Sequence, residues 1–275
     1  MQLGIFAKTF ERPTVEAVFA AVTAHGLSCV QFNLACAGLP TLPDQIDPDV
    51  VTRVRQAAEH AGVTIAAISG TYNMIHPDPS VRATGLQRLR TLAAACHGLG
   101  TAVITLCTGT RDPVDMWRWH PDNDTPAAWS DLLHAMAAAL AIAEEEDVML
   151  AFEPERANVV NSAARGHALL AAMQSPRLKV VIDPANIIVP GAKAQMARTV
   201  DEAFDLLGAH IIMAHAKDRG ADDGFRVAGQ GILDYDHYLH LLRERAFAGP
   251  LIVHGLAEAE VDGVLEFLHD RLRQG

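Results

Sequence analysis

Cysteine is scarce in this chain. There are four in 275 residues (Cys29, Cys36, Cys96 and Cys107), and none stands in a C-x-x-C pair. That spacing offers no disulfide framework and reads as reduced thiols of a cytoplasmic protein. Basic residues are also in deficit, with 22 Lys and Arg against 33 Asp and Glu, a formal net charge of −11. The basic footprint that nucleic-acid phosphates or anionic membranes demand is missing, so neither is expected as the main partner. No unbroken apolar run approaches the ~18 residues of a membrane helix. The first residues, Met1-Gln-Leu-Gly-Ile-Phe-Ala-Lys8, lack the basic start and long apolar stretch of a secretory signal. No low-complexity linker or shift in composition marks a domain boundary, so one domain over 1–275 is expected.

What the chain does have is four apolar runs that each end in a residue able to hold a metal. Val148-Met-Leu-Ala-Phe152 leads into Glu153, and proline follows at once. Lys179-Val-Val-Ile182 leads into Asp183, again with proline after it. His210-Ile-Ile-Met-Ala214 leads into His215, and Leu251-Ile-Val253 leads into His254. A short apolar run bounded by a turn signal reads as a buried strand. A carboxylate at the end of such a strand lies at the rim of a core, where an unpaired charge is costly. A metal ion is one way to offset that cost. The four residues stand 30, 32 and 39 residues apart, about one strand–helix unit each.

The same rhythm runs through the whole chain. Hydrophobic periodicity predicts strands at 3–7, 29–32, 64–68, 102–106, 148–153, 179–183, 210–215 and 251–254. Helices are predicted between and after them at 14–25, 48–61, 80–99, 126–146, 162–173, 195–207, 235–245 and 261–273. The helix at 126–146 ends in three glutamates, which oppose its dipole and should fray it. Strict βα alternation implies a parallel sheet. Eight units in a chain of this length point to an α/β fold, a single (β/α)8 TIM barrel. A doubly wound open sheet is the alternative. It usually opens with a glycine-rich first turn, and Lys8-Thr-Phe-Glu11 is not one.

In such a barrel, active sites lie at the C-terminal ends of the strands. Glu153, Asp183, His215 and His254 would then converge on the axis from four adjacent strands. Two carboxylates and two imidazoles suit Mn, Co, Fe or Zn better than Mg or Ca, which favour all-oxygen sites. For one such residue, a hydrogen-bonded polar strand end is the simpler reading. For four at matching places, a divalent metal is expected. Eight of the 13 histidines fall in predicted helices and read as solvated or half-buried. His210 begins its strand, at the far face, and reads as structural. His76 and His120 lie in loops at the catalytic face, as substrate contacts or as loop-stabilising groups. Arg219, Arg111 and Arg156 could bind a carboxylate or phosphate, or be surface arginines. Gly229-Gln-Gly231 could cradle a phosphate, although a simple turn is favoured.

These motifs together resemble the xylose isomerase-like superfamily. The carriers are Phe152-Glu-Pro154, Ile182-Asp-Pro-Ala-Asn186, His215-Ala-Lys-Asp218, Leu251-Ile-Val-His-Gly255 and the loop Gly229-Gln-Gly-Ile-Leu-Asp234. The resemblance covers essentially the whole chain. The group includes sugar-phosphate isomerases and epimerases, ketose 3-epimerases, inosose dehydratases, hydroxypyruvate isomerases and endonuclease IV. It implies a divalent metal on Glu153, Asp183 and His215, with the fourth ligand from the eighth strand. There the sequence departs, because the family usually carries glutamate and here the residue is His254. Asn186 falls where some ketose epimerases place a substrate-binding histidine.

The resulting expectation is a metal-dependent isomerase or epimerase of a small keto-sugar, polyol or sugar acid. Glu153 would abstract a proton beside the carbonyl, and His254 would complete the metal site or return a proton. His76, Asn186, Lys217, Arg219 and Arg111 are the candidate substrate contacts. A dehydratase or lyase begins with the same proton abstraction and is the nearest rival. A non-catalytic metabolite-binding barrel and a metal-assisted nuclease are further rivals, the last disfavoured by the acidic balance. Alanine- and leucine-rich helix faces fit a homo-oligomer or core packing equally well.

Overall fold

The computed structural model describes residues 1–274. Its strands are β1 (Gln2–Phe6), β2 (Cys29–Phe32), β3 (Thr64–Ser69), β4 (Val103–Cys107), β5 (Met149–Glu153), β6 (Leu178–Ile182), β7 (Ile211–Ala216), a short hairpin of β8 (Asp218–Arg219) and β9 (Phe225–Arg226), and β10 (Pro250–Val253). The helices are α1 (Val15–Ala24), α2 (Pro48–Ala61), α3 (Pro79–Cys96), α4 (Pro126–Glu145), α5 (Ala163–Met173), the single turn α6 (Pro184–Ile187), α7 (Lys193–Leu207), α8 (Tyr235–Glu244) and α9 (Val261–Gln274). Helix starts follow local chemistry. Thr14, Asp47, Asp78, Thr125, Ser162 and Asp234 each accept a hydrogen bond from an amide in the first turn. Proline occupies the first position of α2, α3 and α4, where its missing N–H costs nothing. Two elements were not expected from the sequence: the single turn α6 and the β8–β9 hairpin.

Eight strands close into a barrel in the order β1-β10-β7-β6-β5-β4-β3-β2, all neighbours parallel. The expected (β/α)8 barrel is therefore the observed fold. Its main core lies between strands and helices, where residues such as Phe19, Phe32, Leu132, Phe152 and Phe204 are buried. A second, smaller core fills the barrel itself: Cys29, Ala67, Ala151, Val181, Met213 and Ile252. Side chains on a strand alternate faces with period two. Two residues beyond each of these interior positions stand Gln31, Ser69, Glu153, Asp183, His215 and His254. The polar residues thus form the layer directly above the apolar one, at the C-terminal mouth.

Two expectations are corrected. The helix at 126–146 was expected to fray at its glutamates, yet α4 stays regular to Glu145, where Arg90 of α3 forms an ion pair with Glu145. No apolar run of membrane-helix length was expected, yet α4, at 20 residues, is long and apolar enough by length and composition. Its buried positions Ala128, Leu132, Met136, Ala139 and Ala143 recur at helical spacing and face the core.

The core between α7, α8 and the strand ends can be tested. Phe204 is fully buried and meets Tyr238 edge-on at 6.0 Å, and Tyr238 donates its hydroxyl to the His215 carbonyl at 3.1 Å. Phe204→Ala should cost ~3–5 kcal/mol in urea unfolding at neutral pH. A loss below ~1 kcal/mol would mean that this contact does not support the strand.

Candidate metal centre and substrate pocket

The four predicted ligands meet in the polar layer. His254 Nε2 lies 3.1 Å from Asp183 Oδ2, and the rings of His215 and His254 are tilted together with centres 4.4 Å apart. One donor atom each from Asp183, His215 and His254 fall within 4.8 Å of one another. Glu153 Oε1 is 3.4 Å from His215 Nδ1, at the edge of that cluster. Asp183 is wholly buried and its other oxygen, Oδ1, caps α6 through the Ala185 amide. Local structure therefore fixes which oxygen faces the centre.

Gln31 determines how His215 presents itself. The Gln31 amide nitrogen donates to Ser69 Oγ at 3.2 Å and to Thr105 Oγ1 at 3.1 Å. Its oxygen is thereby left for His215 Nε2, 2.8 Å away. An Nε2–H that donates to Gln31 leaves Nδ1 with a lone pair. That Nδ1 is buried, has no hydrogen-bond partner, and looks towards the Glu153 carboxylate. Two acceptors face each other, an arrangement that a cation or a proton between them relieves. The residues present thus fit a divalent ion. The second-layer hydrogen bond that orients a ligating histidine is also in place.

The electrostatics agree. Burial, followed by the nearby His215, lowers the His254 imidazole to about 4, so it is neutral at pH 7, the form that ligates a metal. Burial alone would raise Asp183, but the Lys217 ammonium, 3.3 Å from Oδ2, outweighs it and holds the carboxyl below the ordinary range. Burial would likewise raise Glu153, and a proton on His215 Nδ1, the alternative to a cation between the two groups, reverses the sign. At Glu155 the pull of Lys217 does not win. Burial first, then the charge on Glu153, push its carboxyl up to about 8.

The layer is the floor of a cavity of about 910 Å³ that opens at the barrel mouth. Of the expected substrate contacts, Asn186, Lys217 and Arg219 line it. Asn186 bridges the layer, donating to Glu153 Oε1 at 2.5 Å and accepting from Lys217 Nζ at 2.7 Å. Arg219 is largely spoken for by the Ala185 carbonyl and by Asp223. Arg156 also lines the cavity and forks onto Asp223 at 2.6 and 2.8 Å.

His76 and Arg111 are not in the lining, contrary to expectation. His76 accepts from the Asp78 amide and approaches the Pro113 carbonyl at 3.2 Å. Arg111 donates to the Ile75 carbonyl at 2.9 Å and to Asp131 at 2.6 Å, and Arg82 reaches the same Asp131 oxygen. His76 ties the loop after β3 to the loop after β4, and Arg111 ties both to α4. The glycine loop is a turn, as favoured: the Gly229, Gly231 and Leu233 amides all donate to the buried carboxylate of Asp218. A protein carboxylate fills the place a phosphate would take, and a Cβ on Gly231 would collide with it.

The sequence reading assigned no role to Gln31, Glu155, Trp117, Trp119 or Phe225, all of which line the cavity. Gln31 carried a signal, since it is a polar residue near the C-terminal end of an otherwise apolar strand. Phe225 had none, because only the unforeseen hairpin brings it to the mouth.

A closed parallel barrel that gathers carboxylates and imidazoles at its C-terminal mouth defines a class, the α/β barrel with a cation-compatible centre. Within that class, the chain belongs to the xylose isomerase-like TIM barrel family, which it matches over residues 19–270. A comparison of the sequence with curated proteins finds no match. Among solved structures it is similar to a D-tagatose 3-epimerase-like protein, with 16% identity over 99% of this chain and 97% of that chain and a TM-score of 0.76. It is similar to the probable 3-DHS dehydratase AsbF of Bacillus anthracis, with 13% identity over 98% and 99% and a TM-score of 0.75. A third is the IOLI protein with a binding zinc atom, with 15% identity over 100% and 99% and a TM-score of 0.74. At these identities the likeness is one of fold.

Glu155 gives this centre a measurable pH signature. In the metal-free folded chain its carboxyl keeps a proton up to about 8, whereas unfolded it loses it near the ordinary 4.5. The unfolded chain therefore binds fewer protons across that interval, and stability falls as pH rises through it. Glu155→Gln should remove this slope, so its gain over the unaltered protein is larger at pH 8 than at pH 5 in urea unfolding. Equal gains at both pH values would show that Glu155 is not held protonated.

Proposed function

We propose that this barrel, as one domain over residues 1–275, is a divalent-metal-dependent isomerase or epimerase of a small keto-sugar, polyol or sugar acid. The observation that carries the reading is the buried, partnerless His215 Nδ1 facing the Glu153 carboxylate, beside Asp183 and His254. His215, Asp183, His254 and Glu153 would hold the metal, with Mn, Co, Fe or Zn favoured over Mg by the two imidazoles. When bound, a divalent ion supplies Lewis-acid polarisation of a carbonyl and its neighbouring hydroxyl.

The chain's own groups divide the remaining work. Glu153 takes the proton from the carbon beside the carbonyl, held in place by the Asn186 amide at 2.5 Å. Lys217, fixed by Asn186 and Asp183, stands beside the place where negative charge develops. His254, neutral at pH 7, completes the donor set, or returns a proton only after first taking one up. The family's usual second carboxylate is absent here, so proton return falls to His254 or to Glu155.

Glu155 favours a second reading, a dehydratase. A carboxylic acid that stays protonated near neutral pH lines the same cavity as Glu153. It would protonate a departing hydroxyl after the same first step.

Two measurements test the assignment. In D2O, a panel of ketoses and inososes should show solvent deuterium entering one carbon–hydrogen position by NMR. Glu153→Gln should slow that exchange by ~10²–10⁴-fold while the circular dichroism spectrum is unchanged. Exchange at the unaltered rate in the variant would remove Glu153 from the chemistry. Separately, elemental mass spectrometry of protein purified without chelator should find about one transition metal per chain, lost in His254→Ala. Metal retained in the variant would assign His254 to proton transfer instead. Metal absent from both proteins, even after reconstitution, would favour a metabolite-binding barrel.

A further inference from the structure

Asp183 Oδ2, the oxygen turned towards the centre, already has two neighbours from the chain itself. His254 Nε2 lies 3.1 Å from it and Lys217 Nζ 3.3 Å. Among the described residues, Lys217 is the only lysine or arginine paired with Asp183 or Glu153. It reaches the second carboxylate through Asn186, which accepts from Nζ at 2.7 Å and donates to Glu153 Oε1 at 2.5 Å.

This side chain is closely held. It is 7% exposed, and Nζ stands 3.8 Å from the centre of the Phe225 ring. Its stem passes Gly255, where a Cβ would come within 3.2 Å of Cδ and where φ is +72°. Tyr235 donates to the Lys217 carbonyl at 3.0 Å and fixes the strand beneath. The ammonium thus rests on Asp183, Asn186 and Phe225, and of these only Asp183 belongs to the donor set.

A divalent ion on Asp183 Oδ2 meets that ammonium at close range. Like charges this near one another in a buried site repel strongly. A carboxylate shared between two cations holds each less tightly than it would hold one alone. Without an ion, the same ammonium is what offsets the burial of Asp183, which is wholly enclosed. A buried carboxylate that loses its cation is strongly destabilising. Lys217 therefore acts in opposite directions on the loaded and the metal-free protein.

We propose that Lys217 sets the metal affinity of this centre, as an internal cation that shares Asp183 Oδ2 with the ion and takes its place there before loading. With an ion on Oδ2, Lys217 keeps Asn186 and Phe225. The assignment rests on the metal site proposed above and is independent of the reaction. Affinity is held below what the donors alone would give, and in return the barrel folds first and takes up its ion afterwards.

The test strips the full chain with chelator and titrates it with Co2+ against a chromophoric chelator. Thermal melting is followed with and without saturating Co2+. Lys217→Met should bind Co2+ roughly tenfold tighter or more. Its metal-free form should melt roughly 5 °C or more below the unaltered protein, and the loaded forms should differ by less than half of that. Lys217→Gln, which reaches towards Asn186 without a charge, should shift both quantities the same way. A side chain that only packs would destabilise both forms alike and would not tighten binding when removed. Unchanged or weaker affinity in both variants, or equal melting losses with and without Co2+, would overturn the proposal. So would a Lys217→Gln protein that binds as the unaltered one does while Lys217→Met binds tighter, because the charge would then not be the cause. A Lys217→Met chain that folds only with Co2+ present would support it, and a chain that folds in neither condition leaves Lys217→Gln to decide by the same criteria. Co2+ taken up by none of the three proteins would remove the metal site itself. Binding by the unaltered protein with no gain in the variants would remove only the role of Lys217.

Discussion

The structure depends on one geometric constraint, the two-residue period of a strand inside a closed barrel. Once Ala151, Val181, Met213 and Ile252 are committed to the interior, the residues two places on must point inwards as well. Parallel pairing then sets their heights: Ile252 lies opposite His215, and Ile182 opposite Ala214. A slip of one residue in any of these strands would turn its polar residue at the mouth out towards the helices. Fold and candidate centre are therefore not separable, since the packing that closes the barrel is what brings Glu153, Asp183, His215 and His254 together.

That assembly is electrostatically demanding. Asp183 is wholly buried, and Glu153, His215 and Lys217 are nearly so. Buried charges persist only when paired and hydrogen-bonded. The pairs are visible: Lys217 with Asp183, Asn186 between Lys217 and Glu153, and Gln31 behind His215. The network satisfies most of its members and leaves His215 Nδ1 short, beside a Glu155 carboxyl that burial and Glu153 push up to about 8. Groups left unsatisfied in an otherwise complete network mark the place where something else binds.

Around the mouth, loops are held by their own carboxylates. Asp218 gathers three amides of the loop before α8, and Asp223 joins Arg156 to Arg219 across the top of β5 and β7. Arg156 draws the Asp223 carboxyl down to about 2, so this tie is intact throughout the neutral range. It holds the β8–β9 hairpin, and with it Phe225, over Lys217. Tyr235 and Tyr238 of α8 brace the same strand from outside by donating to the carbonyls of Lys217 and His215.

Much of this was legible in the chain itself. Alternation of apolar runs with helical periods gave the barrel, and Glu153, Asp183, His215 and His254 announced themselves by ending apolar runs. Those are local signals, because burial on both faces of a parallel strand leaves an uninterrupted apolar word in the sequence. The roles of His76 and Arg111 were not legible. Both lie in loops at the correct end of the barrel, yet their side chains turn to carbonyls and to Asp131, which lies 20 residues from Arg111 in the chain. Nor could the sequence reveal that Gln31, 184 residues from His215, pairs with Nε2 of that ring. Nor that Asp218 fills the glycine loop, or that Trp117, Trp119 and Phe225 share one cavity. Strand period and turn chemistry act between neighbours and are written in order along the chain. Side-chain direction at a mouth built from several loops is decided by contacts between residues far apart in sequence, and only closure of the barrel brings those into being.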